Sequence, residues 1–112
     1  MKYKDGVIVS LTKMAGNNPV HLSASREIME AMAIADALSL KISGKEIVVT
    51  SLLDGVHSKN SLHYSGNAFD IRVWIYTEKQ KKTLFYKLKR ELGINFDVVD
   101  EQDHLHIEYD PL

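Results

Sequence analysis

Two segments of the chain alternate between apolar and other side chains, and this alternation limits the fold more than any other feature of the sequence. The apolar sets are Phe69, Ile71, Val73 and Ile75 in one segment and Leu105, Ile107 and Tyr109 in the other. Because successive side chains of a β-strand point to opposite faces, each segment is predicted to be a strand with one face in the core. The opposite faces carry Asp70 in the first segment and His104, His106 and Glu108 in the second.

Two other segments have the apolar spacing of three and four residues that is typical of amphipathic helices. The first runs from residue 23 to residue 40, and Gly44 is predicted to end it. The second begins with a capping box at Thr77-Glu78-Lys79-Gln80 and ends at Gly93. The apolar stripes are Ile28, Met32 and Ala35 in the first helix and Leu84, Leu88 and Leu92 in the second.

Short strands at residues 47–50 and 96–99 complete the predicted sheet, and a polar loop joins residue 52 to residue 67. A chain of 112 residues has room for one hydrophobic core and no second one. The sequence therefore predicts a single domain over residues 1–112. Its class is α+β, with the helices on one face of a small, mostly antiparallel sheet.

The charge balance and the apolar segments exclude several classes of partner. A net charge of −1 at pH 7 disfavours a nucleic-acid binder, which needs a basic surface to neutralise phosphates. The same charge gives no attraction to anionic membranes, and no apolar stretch approaches the roughly 20 residues that span a bilayer. The apolar run at residues 7–11 is shorter than a signal-peptide core. We therefore expect a soluble protein without a signal peptide that is synthesised in the cytoplasm.

The chain has no cysteine, so a transition metal would have to be bound by histidine and carboxylate. Candidate ligands fall in three segments: His63 in the loop, Asp70 in one alternating strand, and the pair His104/His106 in the other. Imidazole and carboxylate groups bind zinc at about 2.0–2.2 Å, and three protein ligands leave the fourth position open to water, as in catalytic sites. Spacing alone also allows these side chains to be surface groups or hydrogen-bonding partners.

Two motifs lie within these segments. Ser61-Leu62-His63-Tyr64-Ser65-Gly66-Asn67-Ala68-Phe69-Asp70 matches S-x-H-x-x-G-x-A-x-D at every fixed position, and Asp103-His104-Leu105-His106 matches D-H-x-H. Because they contain both motifs, residues 48–109 resemble the zinc D-alanyl-D-alanine carboxypeptidases, the vancomycin-resistance dipeptidases and the L-alanyl-D-glutamate endolysins of phages. Two motifs in this order around a helix make the resemblance specific. It implies the hedgehog/DD-peptidase fold, and the short chain suits a phage-type member.

The resemblance also implies roles for individual residues. The three zinc-ligand positions are matched by His63, Asp70 and His106. Asp103 matches the acidic residue that acts as general base. The candidate substrate-binding residues are His104, Ser61 and His57, of which His57 is equally compatible with an idle loop position. The implied function is hydrolysis of an amide bond in the peptide stem of peptidoglycan, by a carboxypeptidase or an endopeptidase, with Zn²⁺ as cofactor. Such an enzyme would act on the cell wall once released.

Asp103 and His106 have opposite parity, so both can face one site only if the backbone bends or bulges at Asp103. We expect this bend.

The match is incomplete in one respect that leaves a second hypothesis open. Family members carry an arginine in a segment that resembles S-G-Y-R-S, whereas residues 51–57 here contain no arginine. The alternative function is a non-catalytic zinc-binding domain of the same fold, used as a structural or interaction module, as in the signalling domains of hedgehog proteins. The retained Asp103 favours the enzyme, because a purely structural metal site has no need of a general base.

Overall fold

The structure is a computed structural model that describes residues 1–53 and 66–111. Within these residues the chain forms two helices and seven strands. In chain order the elements are β1 (Lys2–Tyr3), β2 (Ser10–Ala15), β3 (Asn18–Ser23), α1 (Arg26–Ser43), β4 (Val48–Ser51), β5 (Ala68–Arg72), α2 (Glu78–Leu92), β6 (Phe96–Asp100) and β7 (His104–Tyr109). The predicted α+β class is confirmed.

Five of these strands form one sheet in the order β1-β4-β5-β7-β6. The pair β1/β4 is parallel, and the pairs β4/β5, β5/β7 and β7/β6 are antiparallel, so the sheet is mostly antiparallel as predicted. The two alternating segments, now β5 and β7, are direct neighbours at its centre. Their register places Asp70 opposite His106 and Arg72 opposite His104.

Both helices pack against the sheet face that the alternation assigned to the core. The buried cluster joins side chains of both helices to those of the central strands: Ile28, Ala31, Met32, Ala35, Leu84, Leu88, Val49, Phe69, Ile71, Leu105 and Ile107. Asp70 and His106 have the opposite parity, and their side chains therefore lie on the face away from the helices.

Helix α1 begins three residues later than predicted because its N-cap is Ser25. The Ser25 hydroxyl accepts a hydrogen bond from the backbone N–H of Ile28 at 3.2 Å, and Ser23 still belongs to β3. At the other end Gly44 adopts a left-handed conformation (φ 73°), and its N–H donates to the carbonyl of Leu40. The glycine is thus the helix stop that the sequence predicted.

Helix α2 has the predicted capping box. The Thr77 hydroxyl accepts from the N–H of Gln80 at 3.1 Å, and the Gln80 side chain accepts from the N–H of Thr77 at 3.0 Å. Strand β5 is shorter than its alternation suggested. It ends at Arg72, because the chain then turns toward α2 with a hydrogen bond from the Tyr76 N–H to the Val73 carbonyl at 3.0 Å.

Strands β2 and β3 form a separate antiparallel hairpin that the sequence did not predict. Gly16 has a φ of 66° in the two-residue turn between them, the conformation for which glycine is favoured at the first central position of a tight hairpin turn. Across residues 1–53 and 66–111, neither helix is long and apolar enough to cross a membrane.

Candidate metal centre

Asp70 and His106 are in direct contact at the centre of the sheet. They are cross-strand neighbours on β5 and β7, and Asp70 Oδ1 lies 2.7 Å from His106 Nδ1. Asp70 is only 7% exposed, because β5 is a central strand that is buried on both faces as far as Ile71. A buried carboxylate of this kind needs charged or hydrogen-bonding partners, and His106 is one.

The second ring nitrogen of His106 contacts another carboxylate. Glu108 follows His106 by two residues on β7 and therefore shares its face, and its Oε1 lies 3.0 Å from His106 Nε2. The hydrogen bond to Asp70, together with the negative charges of Asp70 and Glu108, raises the pKa of His106 above its ordinary value. Partial burial lowers this pKa, but the two carboxylates outweigh it.

His104 extends the same group of side chains toward the start of β7. Its Nε2 lies 3.7 Å from Asp70 Oδ2, and its Nδ1 lies 2.6 Å from Asp103 Oδ1. The ring therefore stands between two carboxylates, as His106 does. Asp103 is at the outer end of the group, with a side chain that is 86% exposed.

The expected bend before β7 is present. Gln102 has a positive φ of 74°, which is uncommon for a residue other than glycine. The Asp103 N–H donates to the Glu101 carbonyl at 3.0 Å, so the chain turns tightly before the strand begins. This turn lets the Asp103 carboxylate reach His104 on the face that also carries His106, although Asp103 and His106 have opposite parity in sequence.

Asp70 and His106 belong to donor types that bind zinc. Within residues 1–53 and 66–111 the group of three ligand atoms that all lie within 4.8 Å of one another is Asp97, Glu108 and Asp110, so His104 does not join Asp70 and His106 in such a group. Ligand atoms about 2.0–2.2 Å from one tetrahedral ion stand roughly 3.3–3.6 Å apart. Asp70 Oδ1 and His106 Nδ1 are 2.7 Å apart, as in a direct hydrogen bond, so an ion between them requires their separation to grow by less than about 1 Å.

The structure thus brings together four of the predicted site residues: Asp70, Asp103, His104 and His106. The other three, His57, Ser61 and His63, lie outside the described residues. The predicted ligation of a metal by His63, Asp70 and His106 therefore stays a prediction.

Gly66, in the middle of the first motif, shows why the motif requires glycine there. Its φ is 75°, and a Cβ at this position would overlap the backbone carbonyl oxygen of Ser23. The Gly66 carbonyl accepts a hydrogen bond from the N–H of Ser25 at 2.9 Å. Gly66 is thus held against the N-cap of α1 just before β5 begins, and a side chain at this position would disturb that contact.

A second group of acidic side chains surrounds Glu108. In the described part of the chain, the carboxylates of Asp97, Glu108 and Asp110 lie within 4.8 Å of one another. Exposed acidic groups of this kind are common without an ion, and all-oxygen ligands suit hard cations rather than zinc. Sequence analysis had placed Glu108 on the face of His106 but gave it no role. Glu108 lies two residues from the candidate ligand His106, and this spacing is the sequence signal that could have identified it.

A positively charged side chain stands beside Asp70 and His104 in the sheet. Arg72 follows Asp70 by two residues on β5 and stands opposite His104 on β7. Its guanidinium carbon lies 4.8 Å from the centroid of the Trp74 ring, whose side chain is 73% exposed. The cation–π contact holds the guanidinium group over the indole. The same indole lines a cavity of about 530 Å³, and this cavity is separate from the site, because none of Asp70, Asp103, His104 and His106 lines it.

No protein-family model matches the chain, and no curated protein matches it.

Proposed function

We propose that this chain is a zinc metallopeptidase that hydrolyses an amide bond in the peptide stem of peptidoglycan. The observation that supports this most directly is the contact of Asp70 with His106, joined through His104 to Asp103. The D-H-x-H motif, whose first and last members resemble a general base and a zinc ligand, thus lies beside the aspartate of the first motif. We further propose that the α+β architecture is the hedgehog/DD-peptidase fold and that His63 is the third ligand.

Each described residue has a distinct part in this proposal. Asp70 and His106, with His63, would hold the ion, which would supply Lewis acidity. Asp103 takes a proton from the water that attacks the amide carbonyl and delivers it to the leaving amine as the C–N bond breaks. It is suited to this because its carboxylate is exposed and can exchange protons with water or substrate.

His104 and Arg72 are placed to act on the substrate. His104 contacts the carboxylates of both Asp103 and Asp70, so its ring is held beside the site, where it can donate a hydrogen bond to a substrate oxygen. Arg72 stands opposite His104 and offers a positive charge to a substrate carboxylate. Peptidoglycan as the substrate is supported by the two sequence motifs, and the resemblance to phage endolysins supports action on the cell wall after release.

The alternative, a non-catalytic zinc-binding domain, is favoured by the missing arginine. The chain has three arginines: Arg26 lies exposed on α1, Arg90 is in the last turn of α2, and Arg72 is engaged with Trp74. None comes from residues 51–57, where the resembling family has its arginine. In that alternative Asp103 and His104 would bind no substrate.

Incubation of the zinc-loaded protein with purified peptidoglycan, followed by mass spectrometry of the soluble fragments, separates the two functions. The wild type should release stem-peptide fragments that carry a new amine or carboxyl end. Asp103→Ala should retain zinc and slow release by about 10²–10⁴-fold, the usual contribution of general acid–base catalysis. Glu101→Gln is the matched control, because it removes an exposed negative charge two residues away and should leave the rate unchanged.

The variants and the wild type together distinguish the enzyme from the non-catalytic binding module. His106→Ala should lose both zinc and activity, since it removes a ligand. A wild type that binds zinc and cleaves nothing would replace the enzyme with the binding module. Loss of zinc in Asp103→Ala would make Asp103 a ligand, and an unchanged rate in that variant would remove it from the mechanism.

A further inference from the structure

The turn before strand β7 sets the direction of the Asp103 side chain. Gln102 in this turn has a positive φ of 74°, a conformation that is unfavourable for a residue with a Cβ. Backbone of this kind persists where the surrounding structure fixes it, and it concentrates at functional sites. The bend at Gln102 is what lets the Asp103 carboxylate reach His104, so the contacts that fix Gln102 also fix Asp103.

Gln102 is held by Asp100 and by Lys81, which lies on helix α2. Asp100 Oδ1 accepts a hydrogen bond from the Gln102 N–H at 3.0 Å, and Lys81 Nζ donates to the Gln102 carbonyl at 3.1 Å. The same ammonium group lies 3.2 Å from Asp100 Oδ1. Both main-chain polar groups of Gln102 are therefore fixed, one by Lys81 itself and the other by the carboxylate that Lys81 contacts.

Lys81 differs in burial from Lys82, the next residue of α2. The Lys81 side chain is only 14% exposed, whereas Lys82 is an exposed residue. The start of the helix fixes the position of Lys81, because its N–H donates to the carbonyl of the N-cap residue Thr77 at 2.9 Å. Lysine side chains are seldom covered to this extent without a partner. The partners that Lys81 contacts stand directly before Asp103 in the chain.

We propose that Lys81 is a positioning residue for Asp103. It holds Gln102 in the left-handed conformation, and this conformation directs the Asp103 carboxylate to the site, while Lys81 itself touches neither metal nor substrate. Accurate placement matters for such a group, because a misplacement of about 1 Å can cost about 10²-fold in rate. The inference rests on the proposed function, in which Asp103 is the general base.

Lys81→Met removes the ammonium group and keeps an unbranched side chain. In the zinc-loaded full chain, kcat for a soluble stem peptide should fall by about 10–100-fold, with KM and zinc affinity nearly unchanged. Lys82→Met is the matched control, because it removes an equal charge from the next residue, and its rate should equal that of the wild type. Equal falls in the two variants would show that the charge of α2, rather than the turn, explains the effect, and would overturn the proposal.

The combination of Lys81→Met with Asp103→Ala separates positioning from a general loss of stability. If Lys81 acts through Asp103, Lys81→Met should slow the Asp103→Ala variant by no more than about twofold, because the group that it positions is already absent. Equal falls in the wild-type and Asp103→Ala backgrounds would overturn the proposal. Circular dichroism confirms folding, and Asp100→Asn, which removes the charge that pairs with Lys81, replaces Lys81→Met if that variant does not fold.

NMR spectra of the same full chain test the turn independently of activity. Lys81→Met should speed hydrogen exchange of the Gln102 N–H by about tenfold or more, the equivalent of one hydrogen bond to a charged group. It should also shift the ring ¹⁵N signals of His104 in the same direction as Asp103→Ala does, because His104 Nδ1 contacts the Asp103 carboxylate. Unchanged exchange at Gln102 would overturn the role of Lys81 whatever the rates are.

Failure of this inference can be told apart from failure of the proposed function. A wild type that cleaves nothing overturns the peptidase, and the NMR measurements then still decide whether Lys81 holds Gln102 and Asp103 in place. An active wild type whose rate is unaffected by Lys81→Met overturns the inference and leaves the peptidase in place.

Discussion

Replacement of Gly66 by alanine tests whether Gly66 packs against the backbone that leads into helix α1, as the structure shows. Gly66 has a φ of 75°, a Cβ there would overlap the carbonyl oxygen of Ser23, and the same Cβ would lie 3.2 Å from the Cα of Ala24. These neighbours are backbone atoms, so no side-chain rotation can relieve the overlap. The hydrogen bond from the Ser25 N–H to the Gly66 carbonyl would be strained as the two segments move apart.

The expected loss of stability has two parts. A left-handed conformation costs an L-residue roughly 1–2 kcal/mol. Forcing extra volume into a packed contact costs typically about 1–3 kcal/mol more. Gly66→Ala should therefore lower the free energy of unfolding by about 2–5 kcal/mol, a large share of the roughly 5–15 kcal/mol that stabilises a domain.

Gly44→Ala separates the two parts. Gly44 has a φ of 73°, almost that of Gly66, but a Cβ there would meet nothing within 4 Å. It should show the conformational cost alone, about 1–2 kcal/mol. Urea denaturation followed by circular dichroism measures both variants, with an unchanged slope against urea as evidence that the unfolding reaction is the same. Equal losses in the two variants would refute the close approach of Gly66 to Ser23.

Two further predictions concern zinc binding and substrate charge. The carboxylates of Asp70 and Glu108 raise the pKa of His106 above the ordinary histidine value of about 6.5. Because zinc must displace the proton from the ring, the apparent zinc affinity should begin to fall at a pH above that ordinary value, and the fall should reach roughly tenfold per pH unit. Calorimetry in two buffers of different ionisation enthalpy should count about one proton released per zinc below that pKa, and no release would contradict the assignment of His106 as a ligand. Arg72→Gln should raise KM for a peptide with a free carboxylate by about tenfold or more, with little change for its amide; equal effects on both peptides would exclude a carboxylate contact.

The alternation of β5 and β7 predicted both their secondary structure and the face that each side chain would occupy, because that periodicity is a property of the backbone. The hairpin of β2 and β3 was missed for the same reason. Leu11 and Met14 have opposite parity and are both exposed, so neither face of β2 is consistently apolar. A turn signal was present in Gly16-Asn17, but without alternation on either side it did not predict strands.

The contact between Asp70 and His106 could be predicted only in part. Parity assigns Asp70, His104 and His106 to one face, but a slip of two residues preserves parity and would place His104 opposite Asp70 instead. The register that the structure adopts depends on how the whole sheet packs, which no local pattern contains. The contact of Glu108 with His106 depends in addition on the rotamers of both side chains, so sequence can give their shared face and not their hydrogen bond.

Carboxylates and imidazoles alternate along the sheet face that carries Asp70 and His106. This order explains how a buried strand tolerates charged side chains and how the roles of Asp70 and Asp103 differ. Each imidazole stands between two carboxylates: His104 between Asp103 and Asp70, and His106 between Asp70 and Glu108. Asp70 is shared by both rings, which offsets the cost of burying its charge. Side-chain exposure rises from 10% at Asp70 to 86% at Asp103. The buried carboxylate is held in one position, as a metal ligand must be, whereas the exposed one can exchange a proton with its surroundings, as a general base must. A purely structural metal site would require the first property and not the second, so the Asp103→Ala variant is the one that separates the proposed enzyme from the binding module.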